Sequence, residues 1–152
     1  MLEPGHKAPA FALAGENGPV RLDDFKGRAL VLYFYPKDDT GGCTKEAQEF
    51  TALAGEFDKA GARLLGVSKD SLASHAKFTA KYGLGVPLAS DPDGAVVEAY
   101  GAWVEKTLYG RKYMGIDRST FLIDREGNLA RIWRKVKVDG HAQQVLEAVK
   151  AL

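Results

Sequence analysis

An α/β fold, with a central mixed sheet flanked by helices, is what the 152-residue sequence predicts, and three features carry that prediction. Two apolar runs, at 29–35 and 63–68, read as buried strands, and each is followed by a segment of helical spacing. The second run comes directly after a helix, which suggests a parallel strand covered on both faces. The rhythm then changes near the C-terminus, where strands at 119–123 and 129–136 flank the turn Asp124-Arg125-Glu126-Gly127-Asn128 and a last helix follows.

In chain order, 11–13 and 20–22 read as short strands around Gly15-Glu16-Asn17-Gly18, whose Asn-Gly pair is hairpin chemistry. They form an N-terminal hairpin extension. A short turn at 23–27 precedes the strand at 29–35, which Pro36 ends because it offers no ladder donor. After a polar and glycine-rich stretch, an amphipathic helix begins at Cys43. Ala47, Phe50, Leu53, Ala54 and Phe57 share one side of it, and Gly61 is its stop. Asp70 or Ser71 caps a helix over 71–82 that ends at Gly83. A short strand at 88–90 precedes a short helix running from Asp91-Pro92-Asp93-Gly94 to Tyr100. Two short extended pieces, 107–109 and 112–114, surround Gly110-Arg111, and the final helix runs from about 140 with Ala142, Val145, Leu146 and Val149 as its apolar stripe. A βαβ unit followed by ββα is the thioredoxin-like arrangement.

The length predicts one domain over 1–152 with a substantial core, and the 45% hydrophobic fraction is that of an ordinary globular chain. Twenty-one basic and 20 acidic residues leave a net charge of +1, which gives no general attraction to nucleic acid or to an anionic membrane. No apolar run is long enough to span a bilayer, and the N-terminus carries no basic-then-apolar signal pattern. His6, His75 and His141 fall on no metal-ligand spacing, so they read as surface or packing residues, and no metal or cofactor is expected. One cysteine excludes an intramolecular disulfide and points to a reducing compartment, the cytoplasm.

That cysteine, Cys43, sits where a strand, a loop and a helix N-terminus meet. A free cysteine titrates near about 8.5. Unpaired N–H groups and the macrodipole at a helix start favour the thiolate, and such sites reach roughly 3.5–7.5. Lys37 and Lys45 lie close in sequence, while Asp38, Asp39 and Glu46 oppose the effect if they point inward.

Pro36-x-x-x-Thr40-x-x-Cys43 resembles the active-site signature of peroxiredoxins. The longer strings Tyr33-Phe34-Tyr35-Pro36-Lys37-Asp38-Asp39-Thr40, Gly42-Cys43-Thr44, Lys112-Tyr113-Met114-Gly115-Ile116 and Arg118-Ser119-Thr120-Phe121-Leu122-Ile123-Asp124 resemble the peroxiredoxin Q group, also called bacterioferritin-comigratory proteins. The resemblance covers nearly the whole chain and implies a thioredoxin-like fold. It implies a thiol-dependent peroxidase that reduces hydrogen peroxide and small organic hydroperoxides through a Cys43 sulfenic acid. Pro36, Thr40, Cys43 and Arg118 occupy the four catalytic positions, with the backbone of Gly42 as a donor and Glu46 orienting the arginine. A monomer is implied rather than a dimer.

Two positions depart from the group. Many members carry a second cysteine five residues after the first, where this chain has Gln48, and a proline where it has Gly41. With no other thiol, the sulfenic acid must be reduced by an external one, such as thioredoxin, glutathione or glutaredoxin. The alternative function is a thioredoxin-fold module that senses peroxide and passes the oxidation to a partner without efficient turnover.

Overall fold

The computed structural model describes residues 1–152. Its strands are β1 (Ala12–Gly15), β2 (Gly18–Arg21), β3 (Ala29–Phe34), β4 (Ala62–Ser68), β5 (Leu88–Ser90), β6 (Trp103–Leu108), β7 (Arg111–Ile116), β8 (Ser119–Ile123) and β9 (Leu129–Trp133). The helices are α1 (Gly41–Lys59), α2 (Leu72–Tyr82), α3 (Ala95–Ala99) and α4 (His141–Lys150), and a 3-10 turn spans Leu22–Phe25.

Seven strands form one sheet in the order β2-β1-β5-β4-β3-β8-β9. The β3–β4 and β4–β5 pairs are parallel, and β1, β2, β8 and β9 run antiparallel to their neighbours. Every residue of β3 is buried, and its period-2 alternation divides it between two cores. Val31, Tyr33 and Tyr35 pack with Phe50 and Phe57 of α1, Phe78 of α2 and Val145 of α4. Leu30, Leu32 and Phe34 pack on the other face with Val97 and Tyr100, near α3, and with Phe121 of β8. This is the mixed, helix-flanked thioredoxin-like sheet that the strand pattern predicts. The N-terminal hairpin extends it, because β1 pairs with β5 through Ala14↔Ser90 and Gly15↔Ala89.

Helix limits follow local chemistry. Ser71 accepts a hydrogen bond from the Ser74 N–H at 3.1 Å and caps α2. Gly83 ends that helix at φ +60, a conformation that suits a residue without Cβ. Several boundaries differ from the sequence reading, among them the hairpin strands, which cover 12–15 and 18–21 rather than 11–13 and 20–22 because pairing closes up to the two-residue turn. α1 starts at Gly41, not Cys43, because Thr40 is the extended N-cap and the two residues before Cys43 are glycines, with no side chain to mark the turn. The pieces at 107–109 and 112–114 are parts of a longer hairpin, β6–β7, that forms its own two-stranded sheet. Its residues are mostly exposed, so no buried face imposes a legible alternation. β9 stops at Trp133 rather than 136, and Lys135 beyond it takes a φ of 49.

Candidate active site

The C-terminal end of β3 is where the site assembles. Cys43 is the third residue of α1, so the N–H groups of Gly41, Gly42 and Cys43 precede the first intrahelical bond, from Thr44 N to Thr40 O at 2.8 Å. The thiol is buried, at 2% exposure, while Pro36, Thr40, Gly41 and Gly42 around it are open to solvent.

Strand register delivers the arginine. β8 runs antiparallel to β3 with Phe34 opposite Ser119, so Arg118 emerges beside the loop that leaves β3. Its Nη2 donates to Cys43 Sγ at 3.3 Å and its Nη1 to Glu46 Oε1 at 2.7 Å. One guanidinium therefore spans the thiol and a buried carboxylate, which its fixed fork of donors permits. Gly42 allows the approach, because a Cβ there would lie 3.1 Å from Arg118 Nη2.

Glu46 is 1% exposed, and its second oxygen, Oε2, has no hydrogen-bond partner. Burial pushes its carboxyl up to about 7, against the pull of Arg118. His141, at the start of α4, is pushed the other way, down to about 4, by burial and by the Arg118 charge. Its Nε2 lies 2.8 Å from Thr120 Oγ1, and its ring packs edge-on against Phe50 and Trp133. Tyr33 lies fully buried on this side, stacked on Phe50, and its hydroxyl also lacks a partner.

The structure brings Cys43, Gly42, Glu46 and Arg118 together. Thr40 closes the turn: its hydroxyl donates to Lys37 O at 2.8 Å. Pro36 sits exposed after Tyr35. Lys45 pairs with Asp139. Neither Asp38 nor Asp39 is left as a free charge near the thiol. Asp39 accepts from Lys81 Nζ at 2.8 Å and Tyr82 Oη at 2.6 Å. Asp38 is buried and bonded to His75 Nδ1 at 2.7 Å, Tyr35 Oη at 2.6 Å and Ser74 Oγ at 2.8 Å. Sequence reasoning misses this cluster. His75 falls three residues before Phe78, on the core face of α2, and that spacing is the available signal of its burial.

The model of the AhpC/TSA family matches residues 4–132. The chain belongs to the AhpC/TSA family. Within that family it is a peroxiredoxin of the Bcp, or peroxiredoxin Q, group. It is 56% identical over 125 residues to peroxiredoxin Bcp of Xanthomonas campestris, covering 82% of this chain and 78% of that one. It is 47% identical to peroxiredoxin Bcp of Bacillus subtilis, covering 98% of this chain and 96% of that one. Among solved structures, the bacterioferritin comigratory protein of X. campestris, determined as a trapped intermediate/ligand complex, superposes with a TM-score of 0.91 at 48% identity and covers 98% of both chains. PrxQ of Xylella fastidiosa superposes with a TM-score of 0.93 at 40% identity, covering 99% of this peroxiredoxin and 97% of that chain. The X. campestris peroxiredoxin Q has also been solved with either of two different cysteines replaced by serine, whereas this peroxiredoxin has Cys43 alone.

Proposed function

We propose that this peroxiredoxin reduces hydrogen peroxide and small organic hydroperoxides through Cys43 and is returned to the thiol by an external reductant. The observation that carries the reading is the Arg118 guanidinium, hydrogen-bonded at once to Cys43 Sγ and Glu46. The thiolate attacks one peroxide oxygen, the S–O bond forms and the O–O bond breaks. Sulfur loses two electrons, and the departing oxygen leaves as water or an alcohol after taking a proton. The product is a sulfenic acid.

Negative charge moves from sulfur to the leaving oxygen during this step, so donors fixed around that path lower the barrier. Arg118 and the unpaired N–H groups of Gly42 and Cys43 are such donors, Thr40 offers its lone pairs to the incoming hydroperoxide proton, and Pro36 shapes the loop. Glu46 acts on Arg118 rather than on substrate. Organic hydroperoxides are included because the X. campestris bacterioferritin comigratory protein, whose fold this chain shares, has alkyl peroxide reduction activity.

A first external thiol then attacks the sulfenic sulfur and expels water, and a second releases Cys43 and leaves as the disulfide. The single cysteine supports this route, since no intramolecular crosslink is available. The reading takes residues 1–152 as one catalytic domain, working as a monomer in the cytoplasm, where thioredoxin, glutathione or glutaredoxin is kept reduced.

The deciding measurement is the second-order rate at which hydrogen peroxide consumes the Cys43 thiol at neutral pH, beside free cysteine. A rate orders of magnitude above free cysteine, with intact mass showing one added oxygen or a mixed disulfide, is expected. A rate equal to that of free cysteine would overturn the peroxidase reading.

A further inference from the structure

The geometry points to His75 as a positioning residue for the peroxide-reducing site: as an imidazolium it pairs with the Asp38 carboxylate and clamps residues 36–40, and through them the first turn of α1, to α2 and β5. This rests on Cys43 being the reacting thiol.

Both ring nitrogens face acceptors. His75 Nε2 lies 3.0 Å from the Ala89 carbonyl oxygen, which can only accept, so Nε2 carries hydrogen. Nδ1 lies 2.7 Å from Asp38 Oδ2. Asp38 already receives the Tyr35 hydroxyl on Oδ1 and the Ser74 hydroxyl on Oδ2, which marks it as an ionised acceptor and makes Nδ1 a donor as well. A ring with two N–H groups is a cation. Burial alone would raise the Asp38 pKa, but the bonds from His75, Tyr35 and Ser74 outweigh it and hold the carboxyl below its usual range.

One other polar atom faces Nδ1, the Tyr35 hydroxyl at 3.4 Å, and its hydrogen is already given to Asp38 Oδ1 at 2.6 Å. From the residue after β3 comes Tyr35, from β4 and the turn after it Ser68 and Asp70, and from β5 the Ala89 carbonyl. The second carboxylate, Asp70, takes the Asp38 backbone N–H at 2.8 Å and the Ser68 hydroxyl at 2.7 Å on one oxygen. The lysine of α2 that bonds to the loop, Lys81, is paired with Asp39. His75 Nδ1 stands 2.7 Å from Asp38 Oδ2 in ion-pair geometry, and Asp38 makes no ion pair with a lysine or an arginine.

The loop has little else to hold it. Residues 36–40 belong to no strand or helix, and Asp39 takes a left-handed φ of 56. Their order comes from Asp38 and Asp39, both turned onto α2, from the Asp38 N–H bond to Asp70 and from the Thr40–Lys37 bond. Thr40 then leads into α1 two residues before Gly42. A neutral His75 retains one N–H, which cannot serve Asp38 and Ala89 together. Deprotonation therefore loosens the loop that places Thr40 and Cys43.

The test uses the whole protein. With 15N-labelled histidine, NMR at neutral pH should show both His75 ring nitrogens protonated, and Asp38→Asn should convert the ring to a neutral, single N–H form. His75→Gln, which cannot donate on both sides, should lower the peroxide rate at least tenfold while circular dichroism shows it folded. The parent protein should lose rate towards alkaline pH, and His75→Gln should lack that fall. Lys77→Gln, an exposed change on the same helix, should leave the rate within twofold. Should His75→Gln fail to fold, Ser74→Ala, which deletes one donor to Asp38, should cut the rate severalfold. A single N–H ring in the parent protein at neutral pH overturns the proposal. So does a folded His75→Gln with an unchanged rate and pH profile, or a Ser74→Ala with an unchanged rate. If the parent protein reacts no faster than free cysteine, the peroxidase reading itself fails, and the NMR result still stands or falls independently.

Discussion

Two buried carboxylates flank the Cys43 loop, each with one basic side chain at 2.7 Å, and their pKa values are shifted in opposite directions. Asp38, on the α2 side, is held below its usual range, whereas Glu46, on the β8 side, is pushed up to about 7. A basic partner does not separate them, since both have one. Glu46 is deeper, and the number of donors differs: Asp38 receives three side-chain donors across its two oxygens, whereas Glu46 receives Arg118 on one oxygen and nothing on the other. A buried carboxylate keeps its charge when its lone pairs are occupied, and a single cation, shared here with a thiol, is not enough. The Asp38 side is built to hold a loop, and the Glu46 side to hold a cation that faces sulfur.

Removing the shared cation should have the largest effect. Arg118→Ala should lower the peroxide rate by about 10²–10³-fold, the usual cost of losing a transition-state donor. Arg118→Lys, which keeps the charge but not the fork, should fall between the two. Stopped-flow oxidation of Cys43 measures both, and an unchanged Arg118→Ala rate would remove Arg118 from the mechanism.

The pH dependence of stability comes next. The raised Glu46 pKa contributes stability that is complete below its usual 4.5 and is lost as pH rises through about 7. The depressed His141 pKa contributes stability present above its usual 6.5 and lost as pH falls through about 4. Each contribution is on the order of 3 kcal/mol, and their windows overlap with opposite signs. Glu46→Gln should therefore expose a loss of stability towards acid, and His141→Gln a loss towards neutral pH, in denaturant titrations from pH 4 to 7. Parallel curves for the two variants would contradict the assignment.

A smaller contrast separates two tyrosines of one strand end. Tyr35→Phe removes a hydroxyl bonded to an ionised carboxylate and should cost about 1.5–3 kcal/mol, whereas Tyr33→Phe removes a buried hydroxyl without a partner and should cost nothing or stabilise slightly. Thermal or urea unfolding distinguishes them. The smallest effect belongs to Gly41, the first residue of α1, where no atom stands within 4 Å of a Cβ. Proline suits that first helical position, so Gly41→Pro should stabilise by about 0.4–1 kcal/mol without lowering the peroxide rate.

Local chemistry is legible in the chain. The strand at 29–34, the capped helix 72–82 with its Gly83 stop, and the placement of Cys43 in a first helical turn all follow from contacts between residues a few positions apart. For the same reason the sequence alone identifies Cys43 and its motif, and determines that no second cysteine can resolve its oxidation inside the chain. Side-chain partners are not legible where they depend on register or on the crossing of distant elements. The family resemblance, not local spacing, points to Arg118, which reaches Cys43 because Phe34 stands opposite Ser119 in an antiparallel pair. Asp38 meets His75, 37 residues away, only because α2 packs over the end of β3. The β6–β7 hairpin reads short because an exposed ribbon leaves no apolar period to follow. Tertiary structure decided which carboxylate keeps its charge, since that depends on how many donors converge on it, and convergence from separate elements leaves no trace in local spacing.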